Sequence, residues 1–301
     1  LRAVGDTRRP LLFLLAAGIV NVLLNLFFVI VFHMDTAGVA LATIISQSIS
    51  AAMVVACLMR SHTPYRLRFR RLRVRKAQLL QIIRVWLPAG IQGAVFSVSN
   101  VLIQSSINSF GSLAVGGNTA ASNIEGFVYT SMNSLYQASL SFTSQNVGAG
   151  KLQRVVPILL RCLGVVLTVG VGLSGLALLF NHQLLGIYSS DQEVIRYGRL
   201  EVVCATYFLC GMMDVVCGSV RGLGSSVVPT VVSLTGACGL RILWIYTIFA
   251  ENRTLFCLYL SYPITWAITF SAHLVCFFIF LHMRKKRAAQ ALQELPRDAS
   301  V

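Results

Sequence analysis

Residues 60–84 read RSHTPYRLRFRRLRVRKAQLLQIIR and hold nine Lys or Arg residues and no Asp or Glu. A long apolar segment lies on each side of this basic stretch, at 38–59 and at 85–110. Because Lys and Arg near the ends of membrane-spanning helices accumulate on the cytoplasmic side, we interpret the stretch as a cytoplasmic loop between two membrane spans. Apolar side chains such as Leu67 and Val74 interleave the charges. Part of the loop is therefore expected to lie as an amphipathic helix against anionic lipid headgroups, the alternative being a solvated linker.

The overall composition is that of a membrane protein. Hydrophobic residues make up 56% of the chain and charged residues 12%, and the mean hydropathy is +0.74. A net charge of +15 would suggest nucleic-acid binding in a soluble protein. Most of the Lys and Arg fall on one predicted side of the membrane, however, so no nucleic-acid partner is expected. The eight cysteines lie in apolar segments without metal-ligand spacing, and we interpret them as packing residues and predict no metal site.

Eight segments are long and apolar enough to cross a bilayer, since a spanning helix needs roughly 20 residues. They cover residues 10–32, 38–59, 85–110, 119–144, 155–180, 195–220, 227–250 and 254–282. The connections between them alternate between basic and base-poor. This alternation predicts that both termini of the chain are cytoplasmic and that the protein is a multi-pass protein of the plasma (or bacterial inner) membrane. The predicted fold class is therefore an all-α polytopic membrane protein with eight transmembrane helices.

An internal repeat joins residues 2–10, RAVGDTRRP, to residues 221–229, RGLGSSVVP, without gaps. Each copy carries an Arg, a Gly, short polar residues suited to a helix N-cap, and a Pro in the first turn of the next helix. Both copies lie on the predicted cytoplasmic side, which indicates two lobes related as parallel repeats. Six predicted segments follow the basic stretch but only two precede it. We therefore expect four further helices upstream of Leu1, and the chain to be an N-terminally truncated fragment.

Several short motifs occur along the chain in a specific order and spacing. They are RAVGDTRRP at 2–10, Asn21-x-x-x-Asn25, GVALAT at 38–43, Leu87-Pro88, SQNVGAGK at 144–151 and Arg221-Gly-Leu-Gly224. Together these motifs resemble those of the multidrug and toxic compound extrusion (MATE) family of bacterial type. The resemblance implies twelve helices in two six-helix lobes, of which this chain is similar to helices five to twelve. It divides the chain into the end of the first lobe at 1–60, a basic cytoplasmic linker at 61–84, a six-helix second lobe at 85–283 and a cytoplasmic tail at 284–301.

Ionisable residues at membrane depth are costly and point to function. The apolar segments contain Glu125, Asp214, Arg241 and His273. Asp214 lies two turns before Arg221, and it is interpreted either as a proton- or cation-binding carboxylate facing a cavity or as a structural partner of Arg241 or of backbone groups. Glu125 has a similar functional interpretation. Arg241 is expected to pair with a carboxylate, and His273 to be a packing residue.

A second candidate cation site involves Asn21 and Asn25, which share one helix face at spacing i, i+4, with Thr43 on the next helix. Their oxygen atoms suit a hard monovalent cation, and interhelical hydrogen bonding is the alternative interpretation. The resemblance implies an acidic residue in some relatives where Asn25 stands. It also implies a further acid on a helix that this chain lacks, so we expect the site to be incomplete here.

Polar residues of the third segment, together with Arg241, predict the lining of a wet cavity. They include Gln92, Asn100 and Gln104. The resemblance implies a Glu in this helix in many relatives, and this sequence has none. The carboxylates of the fourth and sixth segments are therefore the remaining candidates for coupling.

Small residues recur every four positions in the fifth segment, at Gly164, Thr168 and Gly172. Small residues at this spacing let two membrane helices approach closely. We therefore predict that this face of the segment packs against a neighbouring helix.

The resemblance implies secondary active multidrug efflux, in which H⁺ or Na⁺ antiport exports amphipathic, often cationic compounds by alternating access. The implied partners are small-molecule drugs and the lipid bilayer, with no obligate protein partner and no cofactor beyond the coupling ion. No nucleotide-binding loop or catalytic triad occurs, so an enzyme is not expected. One alternative is a flippase for lipid-linked intermediates, whose cavity should hold several basic residues, whereas only Arg241 is expected to lie deep here. The other is a non-transporting, truncated membrane module.

Overall fold

A computed structural model describes residues 1–61, 65–188 and 203–293 of the 301-residue chain. The predicted all-α fold is confirmed, because the described residues are helical almost throughout and contain no strand. The chain divides into two compact units, Leu1–Gln78 and Leu79–Val301.

The first unit is a helical hairpin. Helix α1 (Arg8–Leu26) continues into a π-helical turn at Phe27–Val31, and α2 (Asp35–Arg60) follows after a three-residue link. The short link requires the two helices to lie antiparallel, and they pack against each other along their length. Most of their large apolar side chains remain exposed, as expected of helices that face lipid or further membrane helices.

The second unit is a bundle whose central helices are α4 and α7. Its helices are α3 (Lys76–Asn108), α4 (Ser112–Gly148), α5 (Val155–Leu179), α6 (Asn181–Tyr188), α7 (Tyr207–Gly222), α8 (Val227–Ser233), α9 (Leu240–Tyr246), α10 (Ile248–Glu251) and α11 (Leu255–Gln293). A π-helical segment, Leu234–Gly239, joins α8 to α9. Helix α7 packs against α4, α5 and α11, and its valines form the middle of the core. This arrangement places the polar side chains of α7 inside the bundle.

Six stretches of the described residues are long and apolar enough to cross a membrane. The fourth and sixth predicted segments are not among them, so the count of eight spans holds only approximately. Helix α4 is long enough, with 37 residues, but its many Ser and Asn residues lower its hydropathy. Helix α7 has 16 residues, and residues 195–202 of the predicted sixth segment lie outside the described residues.

Several helix ends differ from the predicted boundaries. Helix α3 begins at Lys76 rather than at residue 85, because the apolar residues between them continue the helical pattern. Part of the basic stretch is therefore helical, while residues 62–64 lie outside the described residues. The predicted link at 111–118 is mostly helix, since Gly111, at φ 93°, ends the turn and α4 begins immediately after it. The last helix continues past residue 282 because its basic residues are good helix formers.

The two copies of the sequence repeat have the same local conformation. Gly5 and Gly224, which correspond in the alignment, both have left-handed backbone angles, with φ of 84° and 94°. Thr7 and Ser226 then stand directly before α1 and α8, although neither side chain makes an N-cap hydrogen bond. The glycines are required because a residue with a Cβ atom is strained at these angles.

The predicted packing face of α5 is wrong. Among the described residues, a Cβ atom added to Gly164 or Gly172 would meet nothing within 4 Å, whereas one added to Gly170 would lie 2.9 Å from Cβ of Phe208. Two residues correspond to a rotation of about 200° around a helix, so Gly170 and Gly172 face opposite sides. Gly164 and Gly172 therefore lie on the face of α5 that points away from α7.

Candidate functional site

A cavity of about 650 Å³ lies within the second unit, between α3, α4, α7, α9 and α11. It brings together all the candidate residues predicted for the second lobe. These are Gln92, Asn100, Gln104, Glu125, Asp214 and Arg241. The core packing of α7 positions the site, because one face of this helix contacts α4, α5 and α11 while Asp214 reaches the cavity.

Asp214 is largely buried at the cavity wall. Within the described parts of the chain, it takes part in no ion pair and no hydrogen bond. No contact in the described residues therefore supports a structural ion pair between Asp214 and Arg241. Glu125, on α4, is 5% exposed and lines the same cavity.

Arg241 is only 2% exposed and contacts the aromatic wall of the cavity. Its Cζ atom lies 4.1 Å from the ring centroid of Tyr262, and its Nη2 donates to Oγ1 of Thr265 at 3.3 Å. The rings of Tyr207 and Tyr262 both meet Trp266 edge-on, with centroids 5.3 Å and 5.5 Å apart. These aromatic residues were not predicted, although Tyr262 and Trp266, spaced i, i+4 in an apolar segment, share one face of α11.

Arg221 is a second cationic residue of the cavity. Its Nη1 donates to Oη of Tyr136 at 2.6 Å, and its Nη2 donates to Oε1 of Gln92 at 2.6 Å and to Oγ1 of Thr230 at 3.4 Å. One side chain on α7 thus connects α3, α4 and α8. Arg221 therefore lines the cavity together with Arg241, whereas the sequence led us to expect Arg241 alone there, because a long Arg at a helix end can reach back along its own helix. Arg221 lies seven residues after Asp214, a spacing that places the two side chains on one face of a helix. That spacing was the signal in the sequence that Arg221 could reach the cavity.

The predicted amide residues of α3 connect it to α4. Nδ2 of Asn118 donates to Oε1 of Gln104 at 3.0 Å, and Nε2 of Gln104 donates to Oδ1 of Asn108 at the same distance. Asn118 is buried, so this chain of amides fixes the contact between the two helices near one end. Asn100 lines the cavity between these amides and Gln92.

The candidate cluster of the first unit forms a chain of hydrogen bonds. Nδ2 of Asn25 donates to Oδ1 of Asn21, and Nδ2 of Asn21 donates to Oγ of Ser46, both at 3.1 Å. Thr43 donates instead to the carbonyl of Val39 in its own helix, at 2.8 Å. The Asn21–Ser46 bond joins α1 to α2, so this geometry favours the packing interpretation over a cation site.

His273 is fully buried, and its Nε2 lies 3.0 Å from Oγ of Ser233. This contact links α11 to the end of α8. The arrangement fits the packing residue expected from the sequence.

Comparison with known proteins places residues 88–247 in the MatE family model. The chain is 26% identical over 253 residues to YoeA, a probable multidrug resistance protein of Bacillus subtilis, over 80% of the chain and 54% of that protein. It is 23% identical to NorM, a probable multidrug resistance protein of Thermotoga maritima, over 77% of the chain and 51% of that protein.

The same fold occurs in a solved structure of the MATE transporter VcmN of Vibrio cholerae. The TM-score is 0.83 at 18% identity, over 94% of this chain and 64% of that one. The chain thus spans about half the length of the curated relatives it matches.

Proposed function

Because this chain belongs to the MATE family, as the match over residues 88–247 shows, we propose that it serves secondary active multidrug efflux. The relatives are transporters rather than enzymes, and the chain is a multi-pass membrane protein. In the proposed function, H⁺ or Na⁺ enters as an amphipathic or cationic compound leaves, by alternating access. The protein acts in the plasma or inner membrane with both termini in the cytoplasm.

The observation that carries this proposal is Asp214, a carboxylate at the wall of a large cavity with no ion pair or hydrogen bond in the described parts of the chain. An ionised carboxylate removed from water loses hydration free energy unless a cation or proton replaces it. A proton, a sodium ion and a cationic compound would each supply that replacement. Since one carboxylate cannot hold two of them at once, their competition couples uptake of the ion to release of the compound.

The aromatic wall supports the choice of amphipathic compounds. Tyr207, Tyr262 and Trp266 present large apolar faces, and aromatic rings attract cations through their π-faces. The arrangement offers apolar contact at one wall of the cavity and a carboxylate at another. We therefore assign coupling to Asp214 and Glu125, in preference to the hydrogen-bonded amides of the first unit.

A flippase for lipid-linked intermediates is the second candidate, and one observation favours it. Arg221 and Arg241 both line the cavity, and two guanidinium groups could hold an anionic headgroup. Glu125 and Asp214 line the same cavity and would repel such a headgroup. The balance of charges therefore supports the drug antiporter.

Binding of ethidium, a cationic dye, tests the proposal without requiring transport. The purified 301-residue protein in lipid nanodiscs should bind ethidium at alkaline pH. Lowering the pH, or replacing K⁺ by Na⁺, should weaken that binding, because proton or sodium occupies the carboxylate. Asp214→Asn should bind ethidium more weakly and respond less to the coupling ion.

Asn100→Ala is the matched control, because Asn100 lines the same cavity, carries no charge and makes no hydrogen bond within the described parts of the chain. It should keep the dependence on pH or Na⁺. Ethidium binding by Asp214→Asn that remains as strong and as ion-dependent as in the wild type would contradict the assignment of the coupling site. Binding of an anionic diphosphate lipid in place of ethidium would favour the flippase.

A further inference from the structure

Residues 65–75, which we call the connecting segment, lead from α2 towards α3, and hydrogen bonds hold the start of this segment against the end of α2. The backbone N–H of Leu67 donates to the carbonyl of Leu58 at 3.1 Å, and Nε of Arg66 donates to the carbonyl of Met59 at 2.9 Å. Both carbonyls belong to the last turn of α2, where a helix leaves its carbonyls without partners of its own. The chain therefore returns to the end of α2 instead of extending away from it.

This attachment determines the depth of the connecting segment relative to the membrane. Helix α2 is long and apolar enough to cross a bilayer, and its last residue is Arg60. A basic residue at the end of a spanning helix lies at the membrane surface. The connecting segment is bonded to the same end of α2, and it is followed by α3, whose first residue is Lys76. The segment therefore lies at the level of the lipid headgroups.

Three large apolar side chains of the connecting segment face outward. Phe69 and Leu72 are both more than half exposed, and Val74 is 83% exposed. They lie at a 3₁₀ turn, Phe69–Arg71, and in the extended chain that follows it. Apolar groups exposed at this depth can enter the boundary between headgroups and acyl chains, where their burial is favourable.

Arginines alternate with these apolar residues. Their side chains are exposed, and within the described parts of the chain none of them makes a hydrogen bond or an ion pair; they are Arg68, Arg70, Arg73 and Arg75. No Asp or Glu occurs anywhere in residues 60–84 that could neutralise them. These arginines precede α3, so they are not part of the amphipathic helix that the sequence led us to expect. Their charges nevertheless complement an anionic surface beside them.

We propose that the connecting segment is a binding surface for anionic phospholipid, in which Phe69, Leu72 and Val74 insert among the acyl chains while the arginines bind lipid phosphates. A nucleic acid would also satisfy the arginines, but it would leave the three apolar side chains in water. The depth of the segment favours lipid for the same reason. The inference does not depend on which compound the protein transports.

A dye at position 72 tests this proposal. Leu72→Cys, in a background without the eight native cysteines, is labelled with acrylodan, and the 301-residue protein is reconstituted into vesicles. The vesicles contain phosphatidylcholine alone or with rising fractions of phosphatidylglycerol. The emission should shift to the blue as the anionic fraction rises, and lipids with a nitroxide high on the acyl chain should quench it. Val74→Cys is a second labelling position and should respond in the same way.

Ser112→Cys is the matched labelling control, because Ser112 is exposed at the start of α4 and its connection, residues 111–118, contains no Lys or Arg. A dye at this position should give an emission that does not depend on the fraction of phosphatidylglycerol. A shift of equal size at Ser112→Cys would contradict the proposal, because the dye itself would then be responding to the lipid.

Replacement of single arginines separates charge from simple apolar insertion. At the phosphatidylglycerol fraction that gives half of the shift, Arg70→Gln or Arg73→Gln should each lower the ratio of inserted to solvated segment about fivefold. This is the effect expected when one basic residue near an anionic surface contributes about 1 kcal/mol. Arg253→Gln is the matched control, since Arg253 is exposed in a different connection, and it should leave the ratio unchanged.

Three results would overturn the inference. The emission at position 72 could be independent of phosphatidylglycerol, or it could shift equally in Arg73→Gln and in the protein with all its arginines. In the third result the dye would remain in water on anionic vesicles and would respond instead to added single-stranded RNA, in an arginine-dependent way. That result would identify nucleic acid as the partner of the segment.

Discussion

At the scale of single residues, the energetics of the cavity depend on how each charged group is held. Arg241 rests on the ring of Tyr262 and donates to Thr265, so its charge has contacts that do not involve Asp214. Asp214 has no ion pair or hydrogen bond in the described residues. Removing the charge of Asp214 therefore should not strand a buried Arg.

The first prediction is that Asp214→Asn folds nearly normally. The expected change in unfolding free energy is within about 0.5 kcal/mol, since the variant breaks no described contact. A double-mutant cycle with Arg241→Gln should show additive effects, again to within about 0.5 kcal/mol. Thermal unfolding of the purified variants in detergent, together with their abundance in membranes, measures both quantities.

A structural ion pair between the two residues would give a different result. Asp214→Asn would then leave an unpaired buried Arg and cost about 3–5 kcal/mol, with a collapse in abundance that the second substitution restores. Such a rescue would remove the case for Asp214 as a coupling residue.

The sequence could indicate the cavity residues wherever a polar side chain interrupts an apolar segment, as at Gln92, Asn100 and Asp214. For Arg221 the only signal was its spacing of seven residues from Asp214, because Arg221 belongs to a loop motif by position and enters the cavity through its long side chain. The partners of Arg221 lie 85 and 129 positions away at Tyr136 and Gln92, and only the folded bundle brings them together. Long-range contacts of this kind leave no local pattern.

At the scale of helices, packing of α5 depends on which glycine faces its neighbour. The second prediction compares Gly170→Ala with Gly164→Ala, two identical changes in one helix. A Cβ atom at Gly170 would lie 2.9 Å from Cβ of Phe208 and 3.1 Å from its Cα, so the backbone of α7 would have to move. We expect a loss of about 1–3 kcal/mol for Gly170→Ala.

Gly164→Ala should be neutral or stabilise the protein by about 0.5–1 kcal/mol, because Ala is the better helix former and the added methyl group meets no described residue within 4 Å. Thermal unfolding in detergent compares the two variants directly. Equal melting temperatures of the two variants would contradict the close contact between Gly170 of α5 and Phe208 of α7.

The repeated turn provides the third prediction. Gly224 has a φ of 94°, and a Cβ atom there would collide with the guanidinium group of Arg284. Gly224→Ala should therefore cost at least about 1–2 kcal/mol from the backbone angle, with a further cost from the displaced Arg284. Gly148→Ala, at a helix end with ordinary angles and open space, is the control and should change stability little.

A normal melting temperature for Gly224→Ala would contradict the role assigned to this turn.

The repeat itself could be predicted from the sequence, because the Gly and Pro positions obey local backbone rules. The packing face of α5 was not, since three small residues at spacing four mark a face without saying what covers it.

At the scale of the whole molecule, orientation in the membrane follows from the distribution of charge. Basic residues occur in every second connection between the predicted spans, at 60–84, at Lys151 and at 284–287. Moving such groups across the bilayer is opposed by the cost of burying charge and by their attraction to the anionic cytoplasmic leaflet, about 1 kcal/mol per basic residue. These contributions act together, so the chain should adopt one orientation.

The fourth prediction tests that orientation with single cysteines in a background from which the eight native cysteines have been removed. Ser112 lies at the start of α4 and Gln290 near the end of α11, and both are exposed, so reactivity at either depends on which side of the membrane it faces. In intact cells, an impermeant maleimide should label Ser112→Cys and leave Gln290→Cys and Lys151→Cys unlabelled until the membrane is permeabilised. Labelling of Gln290→Cys with protection of Ser112→Cys would reverse the orientation. Labelling of all three in sealed cells would mean that the charge pattern does not fix a single topology, since the helices between these positions would then have inserted both ways.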